Sequence, residues 1–90
     1  MEPLFTVILS NRASRKIKKI PEQYLARIKE LLITLRENPV PTTIFDVVKI
    51  KGAKDTFRIR IGDIRIIYSV SWKDRHVYVL IIDWRERSYE

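Results

Sequence analysis

The chain reads as an α+β domain, a β-α-α-β-β-β order in which a two-helix hairpin packs on one face of a largely antiparallel, twisted sheet. Three observations predict this. Apolar residues recur at helical spacing from Ala13 to Leu35, the period drops to two after Pro41, and Gly62-Asp63 sits between two alternating runs. With 90 residues, 46% of them hydrophobic and only two glycines, there is material for one core and one site, so residues 1–90 form a single domain.

Phe5 to Leu9 (FTVIL) is the first predicted strand, bounded by Ser10 and Asn11, either of which can cap a helix. In the short helix that follows, Ala13, Ile17 and Ile20 form an apolar stripe, while Arg12, Arg15, Lys16, Lys18 and Lys19 crowd the remaining surface without an acid among them. Pro21 stops this helix and suits the first turn of the next, where Leu25, Ile28, Leu31, Leu32 and Leu35 repeat at helical spacing. Asn38 before Pro39 ends the second helix, because a residue before proline is pushed out of the helical region and asparagine tolerates a left-handed cap. Ile44 to Ile50, Thr56 to Ile61, Ile64 to Trp72 and His76 to Trp84 then read as strands. The unbroken apolar run Val77 to Ile82 suits a strand that is central or covered on both faces.

Eighteen lysines and arginines against eleven acids leave a net charge of +7, which points to nucleic acid, acidic lipid or an acidic protein as partner. The absence of cysteine excludes disulfides, thiolate catalysis and cysteine-ligated zinc. A single histidine, His76, excludes a two-histidine metal site and a paired-histidine ribonuclease mechanism, and its position in the turn DRH marks it as an ordinary surface residue. Asp46, Asp55, Asp63 and Asp83 have no metal-site spacing, so neither metal nor cofactor is expected. The Phe5 to Leu9 run is too short for a signal-peptide core or a membrane span, which makes the cytoplasm the expected location and a membrane an unexpected partner.

The charge concentrates in FRIRIGDIRIIYSV, Phe57 to Val70. Glycine first in a two-residue turn suits type II′, which sets Ile61 opposite Ile64, Arg60 opposite Arg65, Arg58 opposite Ile67 and Phe57 opposite Tyr68. Arg58, Arg60 and Arg65 then share one face, and Phe57, Ile59, Ile61, Ile64, Ile66 and Tyr68 go under the helices. Like charges opposed on a sheet cost a few tenths to about 1 kcal/mol, a cost that function explains better than packing. The last strand returns antiparallel and brings Arg85 and Arg87 to the same corner, where Asp83 and Glu86 can order the arginines by ion pairing. Lys49 and Lys51 alternate onto one face of the neighbouring strand, with Lys54 in the turn beyond. Trp84 is expected in the core, whereas Tyr89 lies in a polar tail and offers a ring for base stacking.

These segments, KIKG at Lys49 to Gly52, FRIRIGDIRIIY at Phe57 to Tyr68 and WRERS at Trp84 to Ser88, resemble in order and spacing the RelE toxins of the RelE/ParE superfamily over nearly the whole chain. The resemblance implies a ribosome-dependent endoribonuclease that cleaves mRNA in the A site by attack of a 2′-OH on the adjacent phosphate, with the active surface on the concave face of the sheet. It implies a RelB-type acidic antitoxin as partner, besides the ribosome and mRNA, with a toxin monomer inside the toxin-antitoxin complex and dimerisation through the antitoxin left open. Arg58 and Arg60 stand at two basic positions that are often lysine, Arg65 matches a phosphate-contacting arginine, Arg85 a catalytic arginine, and Arg87 the second of that pair. Tyr89 resembles the C-terminal catalytic tyrosine in kind but lies closer to the arginine pair than the pattern has it. Arg12, Arg15, Lys16, Lys18, Lys19, Lys49, Lys51, Lys54 and Arg87 are then expected to bind ribosomal RNA. Because arginine stays protonated, Arg58 and Arg60 can stabilise charge but are poor general bases. Two other functions fit the same basic face: a ParE-like inhibitor of DNA gyrase, and a non-catalytic nucleic-acid-binding module.

Overall fold

A computed structural model of the chain describes residues 4–85. The elements are β1 (Thr6–Leu9), α1 (Asn11–Ile17), α2 (Glu22–Glu37), β2 (Asp46–Lys49), β3 (Thr56–Ile61), β4 (Ile64–Ser71) and β5 (His76–Trp84). All four strand segments of the second half are formed, so the order is β-α-α-β-β-β-β, one strand longer than the order expected. They build one five-stranded sheet in the order β1-β5-β4-β3-β2. Only the β1 to β5 pairing is parallel; the others are antiparallel. The apolar run in β5 therefore reflects an inner position in the sheet.

Ser10 caps α1, its side chain accepting from the Ala13 N–H at 3.0 Å. Pro21 stands one residue before α2, in the cap position, where its missing N–H costs nothing. Asn38 does end α2, yet with φ −142° and ψ 103° it is extended and not left-handed. The steric demand of Pro39 outweighs the tolerance of asparagine for a left-handed cap. Ile28, Leu31 and Leu35 of α2 are fully buried against Ile59, Ile64, Ile66, Tyr68 and Ile82 of the sheet, as the spacing predicts. Tyr68 is buried at the centre of this layer, and its hydroxyl donates to the Pro39 carbonyl at 2.7 Å. Burial raises its pKa, so the phenol stays neutral and keeps donating. No helix among the described residues is long and apolar enough to cross a membrane.

The β3 to β4 register is the one expected, from Phe57↔Tyr68 to Ile61↔Ile64. Of the two turn residues only Gly62 has positive φ, +57°, in keeping with a type II′ turn. A Cβ on Gly62 would also stand 2.9 Å from the Tyr24 ring, which is itself edge-packed on Trp84. Gly62→Ala is thus expected to lower stability by about 1–2 kcal/mol, measured by chemical denaturation, with the left-handed backbone as the main cause.

Candidate nucleic-acid interface and active site

α2 covers one face of the sheet, and the second face carries the charge. Arg58 and Arg60 of β3, Arg65 of β4 and Asp83 of β5 all project to it, because each alternates with buried core residues. Arg60 and Arg65 are direct cross-strand partners, and Arg65 is in turn opposite Asp83. One residue past β5, the Arg85 N–H donates to the Asp63 carbonyl at 2.8 Å, which ties the end of the chain's last strand to the Gly62 hairpin. Arg58, Arg60, Arg65 and Arg85 are therefore gathered at one corner of the sheet.

They are not equivalent. Arg85 and Arg60 are exposed and Arg58 is half-buried. Arg65, expected to emerge beside them, is only 3% exposed, because it lies on an inner strand between Arg60 and Asp83. A buried guanidinium is tolerated only among compensating groups, and Asp83 is the acid that the register sets beside it. Arg60 meets Asp46 across the β2 to β3 pair at 2.9 Å, an exposed ion pair that fixes the side chain more than it stabilises the fold.

The basic helix adjoins the arginine corner. β1 pairs with β5 only as far as Val79, and α1 occupies the edge of β5 beyond it, anchored by the Ser10 N–H to the Val79 carbonyl and the Ser10 hydroxyl to the Leu80 carbonyl. Arg12 and Lys16 thereby reach Asp83, each at 3.2 Å. Burial alone pushes the Asp83 carboxyl up, but the Trp84 N–H, Lys16 and Arg12 outweigh it and hold the group below its ordinary value. Arg15, Lys18 and Lys19 line the remainder of a cleft of about 370 Å³ between α1 and Asp83. The helix and the arginine corner are one positive surface with a single buried carboxylate at the seam. Sequence spacing gave no sign of this, since Arg12 and Asp83 are 71 residues apart.

Other expected site residues fall elsewhere. Lys49 is opposite Phe57, so it belongs to the helix side of the sheet and not to the arginine face. Lys51 lies beyond β2 in a turn with Gly52, because the strand ends at Lys49 and not at Ile50, and the two lysines line one shallow cleft there. Lys54 is exposed in the next turn. Trp84 packs against the core, in contact with Tyr24. His76 is partly exposed at the start of β5, 2.9 Å from the Tyr78 hydroxyl. Glu86, Arg87 and Tyr89 lie outside the described residues. Among the described residues no group of three or more His, Cys, Asp or Glu could hold a metal ion.

A small α+β domain whose uncovered sheet face gathers arginines beside a basic helix has well-defined relatives. Residues 7–89 match the family model described as the ParE toxin of type II toxin-antitoxin system, parDE. The chain is 37% identical over 86 residues to the RelE1 toxin of Methanocaldococcus jannaschii, covering 96% of each sequence. Against the archaeal RelE-RelB complex from Pyrococcus horikoshii OT3 the TM-score is 0.82 at 34% identity, over 93% of this chain and 98% of that one. The RelB-RelE antitoxin-toxin complex from Methanococcus jannaschii shares the fold at TM-score 0.78 and 22% identity, over 91% and 94% of the two chains. The chain belongs to the RelE/ParE family of type II toxin-antitoxin toxins.

Proposed function

We propose that this toxin is a ribosome-dependent endoribonuclease that cleaves mRNA in the A site and arrests translation. The observation that carries the reading is the convergence of Arg58, Arg60, Arg65 and Arg85 at one corner of an uncovered sheet face, continuous with α1. In the reaction the 2′-hydroxyl gives up its proton and its oxygen bonds to the adjacent phosphorus as the bond to the 5′-oxygen breaks and that oxygen takes up a proton, leaving a 2′,3′-cyclic phosphate and a 5′-hydroxyl. Negative charge builds on the phosphorane oxygens and the leaving oxygen, and fixed guanidinium groups answer it without having to titrate. Exposed Arg85 contacts the scissile phosphate, Arg58 and Arg60 hold flanking phosphates, and buried Arg65 contributes a fixed positive potential from beneath, in place of the phosphate contact that the resemblance implies for it. Arg87 and Tyr89 keep the roles that the family resemblance implies. The ribosome orients the mRNA, so free RNA is a poor substrate.

Mapping cut ends on ribosome-bound mRNA in a purified translation system tests this: cuts positioned by codon are expected. The match to the ParE model supports a second reading, inhibition of DNA gyrase. Topoisomerase-dependent DNA breaks with intact mRNA would establish that reading and overturn the first. Arg15→Ala and Lys19→Ala are each expected to flatten the salt dependence of ribosome binding by about one in log–log slope while leaving cleavage of saturated ribosomes unchanged.

The relatives in complex with RelB support a RelB-type antitoxin as partner, and the +7 charge calls for an acidic one. Such a chain, partly disordered alone, covers the basic surface and blocks the ribosome by bulk. Toxicity unchanged by co-expression of an acidic, neighbour-encoded chain would count against it.

A further inference from the structure

The uncovered sheet face has a second end, which the reading above leaves unused. Along β4 the residues on this face are Arg65, Ile67, Ser69 and Ser71, so one strand leads from the arginine corner to the opposite margin. Six residues of strand span about 20 Å. At that margin a cleft of about 480 Å³ is lined by Lys54, Ser69, Ser71, Trp72, Lys73 and Tyr78. Asp55 is the one carboxylate in its lining, and the Ser71 hydroxyl is already engaged by Asp74 at 3.3 Å.

Trp72, the residue after β4, is only partly packed. It is 48% exposed, whereas Trp84 packs into the core cluster. Yet it is held in place: Phe5 meets it edge to face at 5.7 Å, and the Arg75 guanidinium sits 4.4 Å over the other side of the network, on the Phe5 ring. An indole fixed before binding loses little entropy when a ligand stacks on it. Lysines on two sides of the cleft, a second ring on Tyr78 and a hydroxyl on Ser69 add phosphate, stacking and sugar contacts. This combination of ring faces, cations and small polar groups on an open sheet is how proteins hold single-stranded RNA.

We propose that the Trp72 cleft is a second RNA subsite, binding a nucleotide of the same single strand whose scissile phosphate lies at Arg85. The inference rests on the RNA-cleaving reading and deepens it by giving the strand a direction across the sheet. From Asp63, beside which Arg85 is held, to Trp72 is nine residues of strand or about 30 Å, which corresponds to about nine stacked nucleotides, and to fewer when the bases are splayed apart. The subsite therefore serves only RNA long enough to reach both ends.

The test measures binding of labelled single-stranded RNA oligomers of three and of ten nucleotides to the full chain at low salt, for wild type, Trp72→Ala, Trp72→Phe and the double variant Lys54→Ala/Lys73→Ala. Wild type is expected to bind the ten-mer more tightly than the three-mer. Trp72→Ala should weaken the ten-mer by about tenfold and leave the three-mer unchanged, Trp72→Phe should restore most of the loss, and the lysine pair should reduce the salt slope for the ten-mer alone. The lysine variant keeps the test decisive if Trp72→Ala unfolds, since both lysines are exposed. If the variants bind the ten-mer as wild type does while mRNA cleavage persists, the subsite is overturned and the enzyme reading stands. Loss of binding to an acidic antitoxin with RNA binding intact would make the cleft a protein-docking site and overturn the proposal. If wild type binds neither oligomer and cuts no ribosome-bound mRNA, both readings fall together.

Discussion

Arg85→Ala is expected to slow cleavage of ribosome-bound mRNA by about 100- to 1000-fold, the usual loss when one preorganised donor to a developing anionic charge is removed. The fold should be unaffected. Arg85 is exposed, and its backbone N–H, which donates to the Asp63 carbonyl, is retained in alanine. Thermal melting and the circular-dichroism spectrum of the variant should therefore match wild type, which separates a chemical defect from a structural one. Arg85→Lys should recover part of the rate, since lysine restores the charge but not the forked geometry that spans two phosphate oxygens. An Arg85→Ala variant that cuts as fast as wild type would remove the basis for placing the scissile phosphate at this corner.

Asp83→Asn should cost about 2–4 kcal/mol of stability, a drop in Tm on the order of 10 °C for a domain of this size. The carboxylate is 7% exposed and is the acid on which Arg12 and Lys16 converge, next to Arg65 on the neighbouring strand. Asparagine can still accept from the Trp84 N–H, but it leaves several cations close together without their counter-charge. The expected loss lies toward the lower end because Arg12 is half exposed and water screens part of its share. The pH dependence follows from the depressed pKa. A carboxyl that ionises more readily folded than unfolded stabilises the fold fully above its unfolded value, near 3.8, and this contribution disappears as pH falls through the lower folded value. Wild type and Asp83→Asn should thus differ by a constant amount above about pH 5, and the two denaturation curves should converge in acid. A difference that grows as pH falls would contradict the assignment.

The β3 to β4 hairpin was legible residue by residue, because a two-residue turn with glycine first leaves only one register for alternating strands. The core stripe of α2 was legible for the same kind of reason: Ile28, Leu31 and Leu35 obey a period that only one face can satisfy. β5 was less readable. Its pairing with β4 shifts between Ile67 and Tyr68, so that Tyr68 faces Val79 and Leu80 is left 40% exposed; a continuous apolar run carries no alternation from which such a bulge could be read. Lys49 shows what counting along one strand leaves open, since only its partner, Phe57, places it on the helix side of the sheet.

The sequence by itself determined the α+β class, the opposition of Arg60 to Arg65 and the return of Arg85 to the hairpin, since each follows from local periodicity and one turn. Only the tertiary structure decided that Arg65 is buried, that α1 lies along the free edge of β5, and that Asp83 joins that helix to the arginine corner. The reason is physical. Local pattern specifies which face of a strand a residue takes, whereas burial and ion pairing depend on which distant element reaches it, and β1 ends early enough on β5 for α1 to take up the edge beside Asp83.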